Sequence, residues 1–228
     1  MKKIILLLPL GILLSAAEPI GITGKFGTLG FGLDATFKMK DDFNLRINAN
    51  KGSLNLVDSD SDSDFVEKGK FDLKSVGLLA DYYPLDNKFR LSGGVYYNGN
   101  ILESESSEVR NNVKIGANYY DLTKNSKTNL EIDTNNIAPY IGMGWGNTVE
   151  SSDSWSFNVD VGVLYQGSVK SSLQMSGTAK EHNTGKTINL ETNQVFLNDA
   201  KDEINFINNN TKGIKWYPVV SIGVAYSF

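Results

Sequence analysis

The chain has 228 residues, a formal net charge of -4, no cysteine, and a 40% hydrophobic content that includes 10 Tyr, 11 Phe and 3 Trp. The lack of cysteine excludes disulfide staples and thiolate metal sites, and the mildly acidic balance gives no electrostatic footprint for nucleic acid. After the first residues no apolar run approaches the roughly 20 residues of a spanning helix, so a membrane form of this chain has to cross with strands.

Lys2 and Lys3 precede an uncharged apolar run from Ile4 to Leu14, and Ser15-Ala16-Ala17 follows before Glu18. A basic start, an apolar stretch too short to span and small residues at a cleavage site make up a secretory signal peptide. A buried N-terminal helix is the other reading, weakened by Pro9, Gly11 and the lack of an amphipathic face. Residues 1–17 are therefore assigned to a signal peptide cleaved near Ala17, and 18–228 to one domain.

In that domain, period-two segments of about ten residues recur near 19–26, 29–39, 43–57, 70–84, 88–103, 134–147, 155–175 and 214–228. The first is ambiguous: residues 21–30, GITGKFGTLG, form either two strands around a glycine turn or one long strand. Eight strands require the turn, and closure then pairs the first strand with the last so that no edge meets lipid. The connections at 40–42, 85–87 and 148–154 are short, whereas those at about 58–69, 104–133 and 176–213 are long. Their alternation predicts an all-β fold: an eight-stranded antiparallel up-and-down transmembrane β-barrel with short periplasmic turns and long outer loops, in a bacterial outer membrane.

Parity divides each strand into two faces. Phe31, Leu33, Val76, Leu78, Leu91, Val95, Ile141, Met143, Phe157 and Val161 fall on faces that would meet lipid. The opposite faces carry Thr36, Asn44, Asn48, Asn50, Ser92, Asn98, Asn158 and Gln166 together with six charges, Asp34, Lys38, Arg46, Asp81, Arg90 and Asp160. A one-residue slip would push the charges into hydrocarbon at roughly 2–4 kcal/mol for each Arg or Lys near the midplane, so the register is strongly specified. As a set the six are balanced, and two readings stand: a paired internal network, or opposed charge faces that guide a zwitterionic solute. Inward glycines, among them Gly77, Gly94, Gly142 and Gly162, either leave room for passage or let Tyr96 and Tyr140 lie across them. The first option matters because an eight-stranded barrel is otherwise filled by its own side chains.

Residues 58–64 read DSDSDSD, so that Asp58, Asp60, Asp62 and Asp64 form a candidate acidic mouth, supported by Glu103, Glu105 and Glu108. A calcium loop starting at Asp58 would need Gly at its sixth position and Glu at its twelfth; Ser63 and Gly69 stand there. A diffuse field that gathers cations within about 10 Å is the remaining role. In the last long loop Val195, Leu197, Ile204 and Ile207 have the spacing of one short amphipathic helix. His182, in EHNTGK, is the one histidine; with no second His and no Cys, no cofactor or metal is expected, and a hydrolase has no evident base.

The final strand, IKWYPVVSIGVAYSF from Ile214, alternates apolar with small residues and ends on Phe228, which resembles the signal by which outer-membrane barrels engage the barrel-assembly machinery. With NNIAPYIGMGWGN (135–147) and SFNVDVGVLYQGSVKSSL (156–173), it resembles small outer-membrane barrels that include the carbapenem-resistance-associated, ornithine-uptake type porins. The resemblance implies an eight-stranded fold set in outer-membrane lipid and slow passage of small cationic or zwitterionic solutes. A non-conducting surface barrel that binds through its loops is the alternative, and a membrane-embedded hydrolase a remote one.

Overall fold

A computed structural model describes residues 20–57, 68–85, 88–106, 109–151 and 153–228. The strands, in chain order, are β1 (Ile20–Gly27), β2 (Gly30–Lys40), β3 (Phe43–Val57), β4 (Lys68–Tyr82), β5 (Phe89–Asn98), β6 (Ile101–Ser106), β7 (Arg110–Ile115) and β8 (Asn118–Leu122). They continue with β9 (Lys127–Asp133), β10 (Ile137–Trp145), β11 (Ser154–Tyr165), β12 (Lys170–Ser176), β13 (Thr178–Glu181), β14 (Thr187–Asn189) and β15 (Trp216–Ser227), with helix α1 (Gln194–Thr211) before the last. The acidic tract at 58–64, the expected signal peptide, Asn87 and Glu108 lie outside the described residues.

Eight of these strands, β1 to β5 with β10, β11 and β15, pair antiparallel in a circuit that β1 and β15 close, with Gly21 opposite Ser227 and Gly27 opposite Ser221. The first segment is thus two strands around Thr28-Leu29. The closed circuit leaves no barrel strand with an unpaired edge, as a wall in lipid requires. Outward positions are apolar and exposed: Phe157 is 79% accessible and Phe31 72%, whereas inward Asp34, Arg46, Asp81 and Arg90 are each 3% or less. β2 and β3, β4 and β5, and β10 and β11 are joined at one end of the barrel, and the longer connections leave from the other. The two-residue turn between β1 and β2 breaks that pattern, because it lies at the end of the long connections and sends Leu29 into the interior, where it is buried.

Two stretches expected as single strands are broken. β5 stops at Gly99-Asn100, where Gly99 N donates to Lys74 O, and its continuation β6 pairs with β4 and β9 instead of β10. β11 and β12 are separated at 166–169, with Gly167 at φ +73, a conformation that favours glycine. The continuations β6, β9 and β12 form a sheet that rises beyond the barrel wall.

The connections 104–133 and 176–213, expected as loops, hold an outer cap. Its four-stranded sheet has the order β14-β13-β8-β7. Val113, Ile115, Tyr120, Leu122, Ile188 and Phe196 are buried in the cap's own core, against which Leu173 and Met175 of β12 pack. The helix expected around 195–207 is α1, started by Asn193, whose side chain accepts from Phe196 N at 2.9 Å. Gly116 allows α1 to approach: a Cβ there would lie 2.6 Å from Asp199 O.

Candidate functional site: the barrel interior

Parity sends one residue in two of every barrel strand inward, and at mid-height most of these are charged. Arg46 on β3 is the hub. Its Nη1 donates to Asp34 Oδ2 at 3.3 Å and Asp160 Oδ2 at 3.2 Å, and its Nη2 to Asp81 Oδ1 at 2.9 Å. Arg90 on β5 donates through Nη2 to Asp160 Oδ1 at 2.8 Å, and through Nη1 to Asn158 Oδ1 at 2.9 Å and to Gly146 O. Ser92 donates to Asp81 Oδ1 at 2.5 Å. Lys25 Nζ lies 2.9 Å from Asp34 Oδ1, as an ion contact rather than an aligned hydrogen bond.

Five of the six expected interior charges meet in this layer. Lys38 does not: its ammonium pairs with Asp41 at 3.0 Å and its side chain is 29% exposed. The residue has inward parity but sits beside the turn at 41–42, where water and an adjacent carboxylate are within reach. Lys25 completes the balance, three carboxylates against Arg46, Arg90 and Lys25. Its signal was present in IGITGKFG, where Lys25 shares parity with Gly21, Thr23 and Gly27 on a face of small and polar residues. A buried ion set of this kind is tolerable only when each member is paired, since an unpaired charge in a narrow, weakly polar interior costs several kcal/mol.

Towards the outer end an apolar layer covers the charges. Leu29, Leu79, Tyr96, Tyr140, Leu164 and Val219 are buried together, with the two tyrosine rings 5.6 Å apart, edge to face. Gly77, Gly142 and Gly162 are the floor of these rings, while Gly94 packs against Leu79. A Cβ at Gly77 would lie 2.7 Å from the Tyr96 ring, and Cβ atoms at Gly142 and Gly162 would lie 2.7 Å or less from Tyr140 ring atoms. The glycines therefore accommodate aromatic rings and not an open path. At the other end residues 147–149 fold inward: Val149 is buried, and Thr148 Oγ1 accepts from Asn158 Nδ2 at 3.2 Å and lies 3.3 Å from Thr23 Oγ1. Three layers thus close the lumen.

In the cap, Asp199 Oδ2 accepts from Tyr120 OH at 2.5 Å and Asn118 Nδ2 at 2.8 Å. Burial, followed by this carboxylate, pushes the Tyr120 phenol well above its ordinary range. His182 Nδ1 lies 2.7 Å from Asp121 Oδ1, which also accepts from Asn112 N at 2.8 Å; the amide first and the imidazole second hold the Asp121 carboxyl below its usual value. Among the described residues no group of three or more His, Asp or Glu is arranged to hold a metal ion.

A closed antiparallel barrel with an apolar outer face and a charged inner one defines this protein as an outer-membrane-type β-barrel. Its fold is that of two crystal structures from Acinetobacter baumannii. CarO2 superposes with a TM-score of 0.57 at 22% identity over 93% of this chain and 99% of that one. CarO gives 0.56 at 21% identity over 92% of this chain and 98% of its own. At that identity the likeness is one of fold. No protein-family model matches the sequence, and no curated protein matches it.

Proposed function

We propose that this is an outer-membrane barrel that is closed at rest and passes small cationic or zwitterionic solutes slowly. The observation that carries this reading is the mid-height layer, in which Asp34, Asp81 and Asp160 face Arg46, Arg90 and Lys25 across the lumen. A zwitterion can take the place of one partner in such a set without leaving a charge bare, whereas a neutral or bulky solute cannot. Passage also requires Tyr96 and Tyr140 to swing aside, and among the described residues neither hydroxyl is tied by a hydrogen bond. The packed interior argues against free diffusion. Asp58, Asp60, Asp62 and Asp64 are proposed to concentrate cations at the mouth, a role that salt would screen.

Liposome swelling with the folded protein tests the proposal. A basic amino acid should enter slowly and faster than an uncharged sugar of similar size, and Tyr96→Ala with Tyr140→Ala should raise the rate several-fold. Converting the four tract aspartates to Asn should lower uptake of the basic solute at low ionic strength only. Absence of swelling for both wild type and the tyrosine variant would remove transport and leave a second reading, a surface barrel that presents its cap for binding. That reading is favoured by the cap's separate core of Val113, Ile115, Tyr120 and Phe196.

A further inference from the structure

The lipid-facing wall is dented at Gly24. This glycine points outward from β1, and a Cβ placed there would meet nothing within 4 Å. Around it Phe26, Phe31, Leu33, Phe157, Ile222 and Val224 border a groove of about 960 Å³. That is within the roughly 300–1,000 Å³ that takes a drug-sized molecule. The groove is overwhelmingly apolar, but Lys51 closes it on the β3 side.

Lys51 is not alone. It stands directly opposite Phe31 on β2 and opposite Lys74 on β4, and both lysines point outward and are exposed. One outward step nearer the turn end, the same two strands present Ala49 opposite Val76, so the wall changes from apolar to cationic within two residues. Asp72, two residues farther along β4, is held by Lys70 at 2.7 Å. Among the described residues neither Lys51 nor Lys74 forms a direct ion pair, although the Asp72 carboxylate lies within the field of Lys51. Like charges directly across a ladder destabilise it unless an anion lies between them. Lysine stems also let the ammonium groups reach up to a headgroup plane while their methylenes stay on the apolar wall.

We propose that this face is a docking site for a phosphorylated, multiply acylated lipid of the outer leaflet: its phosphate lies between Lys51 and Lys74 and its acyl chains fill the groove over Gly24. Apolar groove and paired cations are joined at Lys51, and their order along the wall matches that of chains and headgroup in a leaflet. The inference rests on the outer-membrane reading and on the long connections facing outward.

The test uses the full folded chain in detergent, with binding measured by native mass spectrometry for bis-phosphorylated lipid A, its dephosphorylated form and phosphatidylcholine. Wild type should prefer the bis-phosphorylated lipid at least tenfold. Lys51→Gln with Lys74→Gln should abolish that preference, Lys51→Arg with Lys74→Arg should keep it, and Lys40→Gln at the opposite rim should leave it unchanged. Gly24→Leu, which enters open space, should weaken all three lipids together at least threefold. An unaltered preference in the glutamine pair, or equal loss in Lys40→Gln, would overturn the assignment. Failure of the wild-type chain to insert and show heat-modifiable gel mobility in any bilayer would instead overturn the membrane reading beneath it.

Discussion

Asp160 is the residue on which the interior balance turns, because among the described carboxylates it accepts hydrogen bonds from both arginines, whereas Asp81 is hydrogen-bonded by Arg46 and only 4.0 Å from Arg90 Nε. Removing one partner of a buried ion set leaves charge uncompensated, so Asp160→Ala should destabilise the folded barrel by about 3–5 kcal/mol in urea titrations in bilayers. Adding Arg90→Ala should cost less than the sum of the two single changes, as coupled neighbours do. In the cap, Tyr120→Phe deletes a hydrogen bond to the Asp199 carboxylate and should cost about 1.5–3 kcal/mol. The phenol's folded value is raised, so its contribution is complete below the ordinary phenol range and is lost as pH rises through the raised value. Ultraviolet titration of Tyr120→Phe should show one late-ionising tyrosine fewer than wild type. Five of the interior charges were legible because parity alone fixes which face a strand residue occupies. Lys38 was misplaced because parity says nothing of height along the barrel, and height decides whether a charge meets a carboxylate layer or water.

Elements of the wall could be read from the sequence because each has a single period and a single boundary condition, lipid outside and polar groups inside. Val161 is outward and half exposed on β11, so Val161→Arg should impair folding by roughly 2–4 kcal/mol in bilayers. Val195→Arg puts the same charge on an exposed position of α1 and should be nearly neutral, since that surface meets water. Equal refolding yields for the two would refute the lipid assignment of β11. What the pattern did not disclose was β7, β8, β13 and β14. These strands are three to six residues long, too short to show a period, and the two hairpins they form meet only through a long-range pairing, with Ala179 opposite Leu122. The breaks between β5 and β6 and between β11 and β12 were hidden for the related reason that parity continues through them while pairing partners change. Leu29 had no signal either, because its burial follows from a turn folding over the lumen.

At the scale of the molecule, the barrel, the sheet rising from it and the cap form a stack whose orientation can be checked on intact cells. A cysteine at Asn183, exposed in the cap, should react with a membrane-impermeant thiol reagent, and one at Ser151, exposed in the opposite turn, should not. Ser126 is a poor reporter because it is buried, its hydroxyl donating to Thr178 O at 2.7 Å. Reversed labelling would turn the stack over and place the Lys51–Lys74 pair at the inner leaflet. The seam between β1 and β15 has a consequence in time. Every other barrel pairing joins strands that follow one another closely or, for β5 with β10 and β11 with β15, through a single excursion, but this ladder joins the two ends of the described chain. The entropy of closing so large a loop has to be met before its hydrogen bonds return anything, which places the seam late in assembly. Until it closes, β1 and β15 present two bare edges that any neighbouring strand could capture, so a chain slow to zip this joint would be lost to aggregation with its wall and its ion layer otherwise complete.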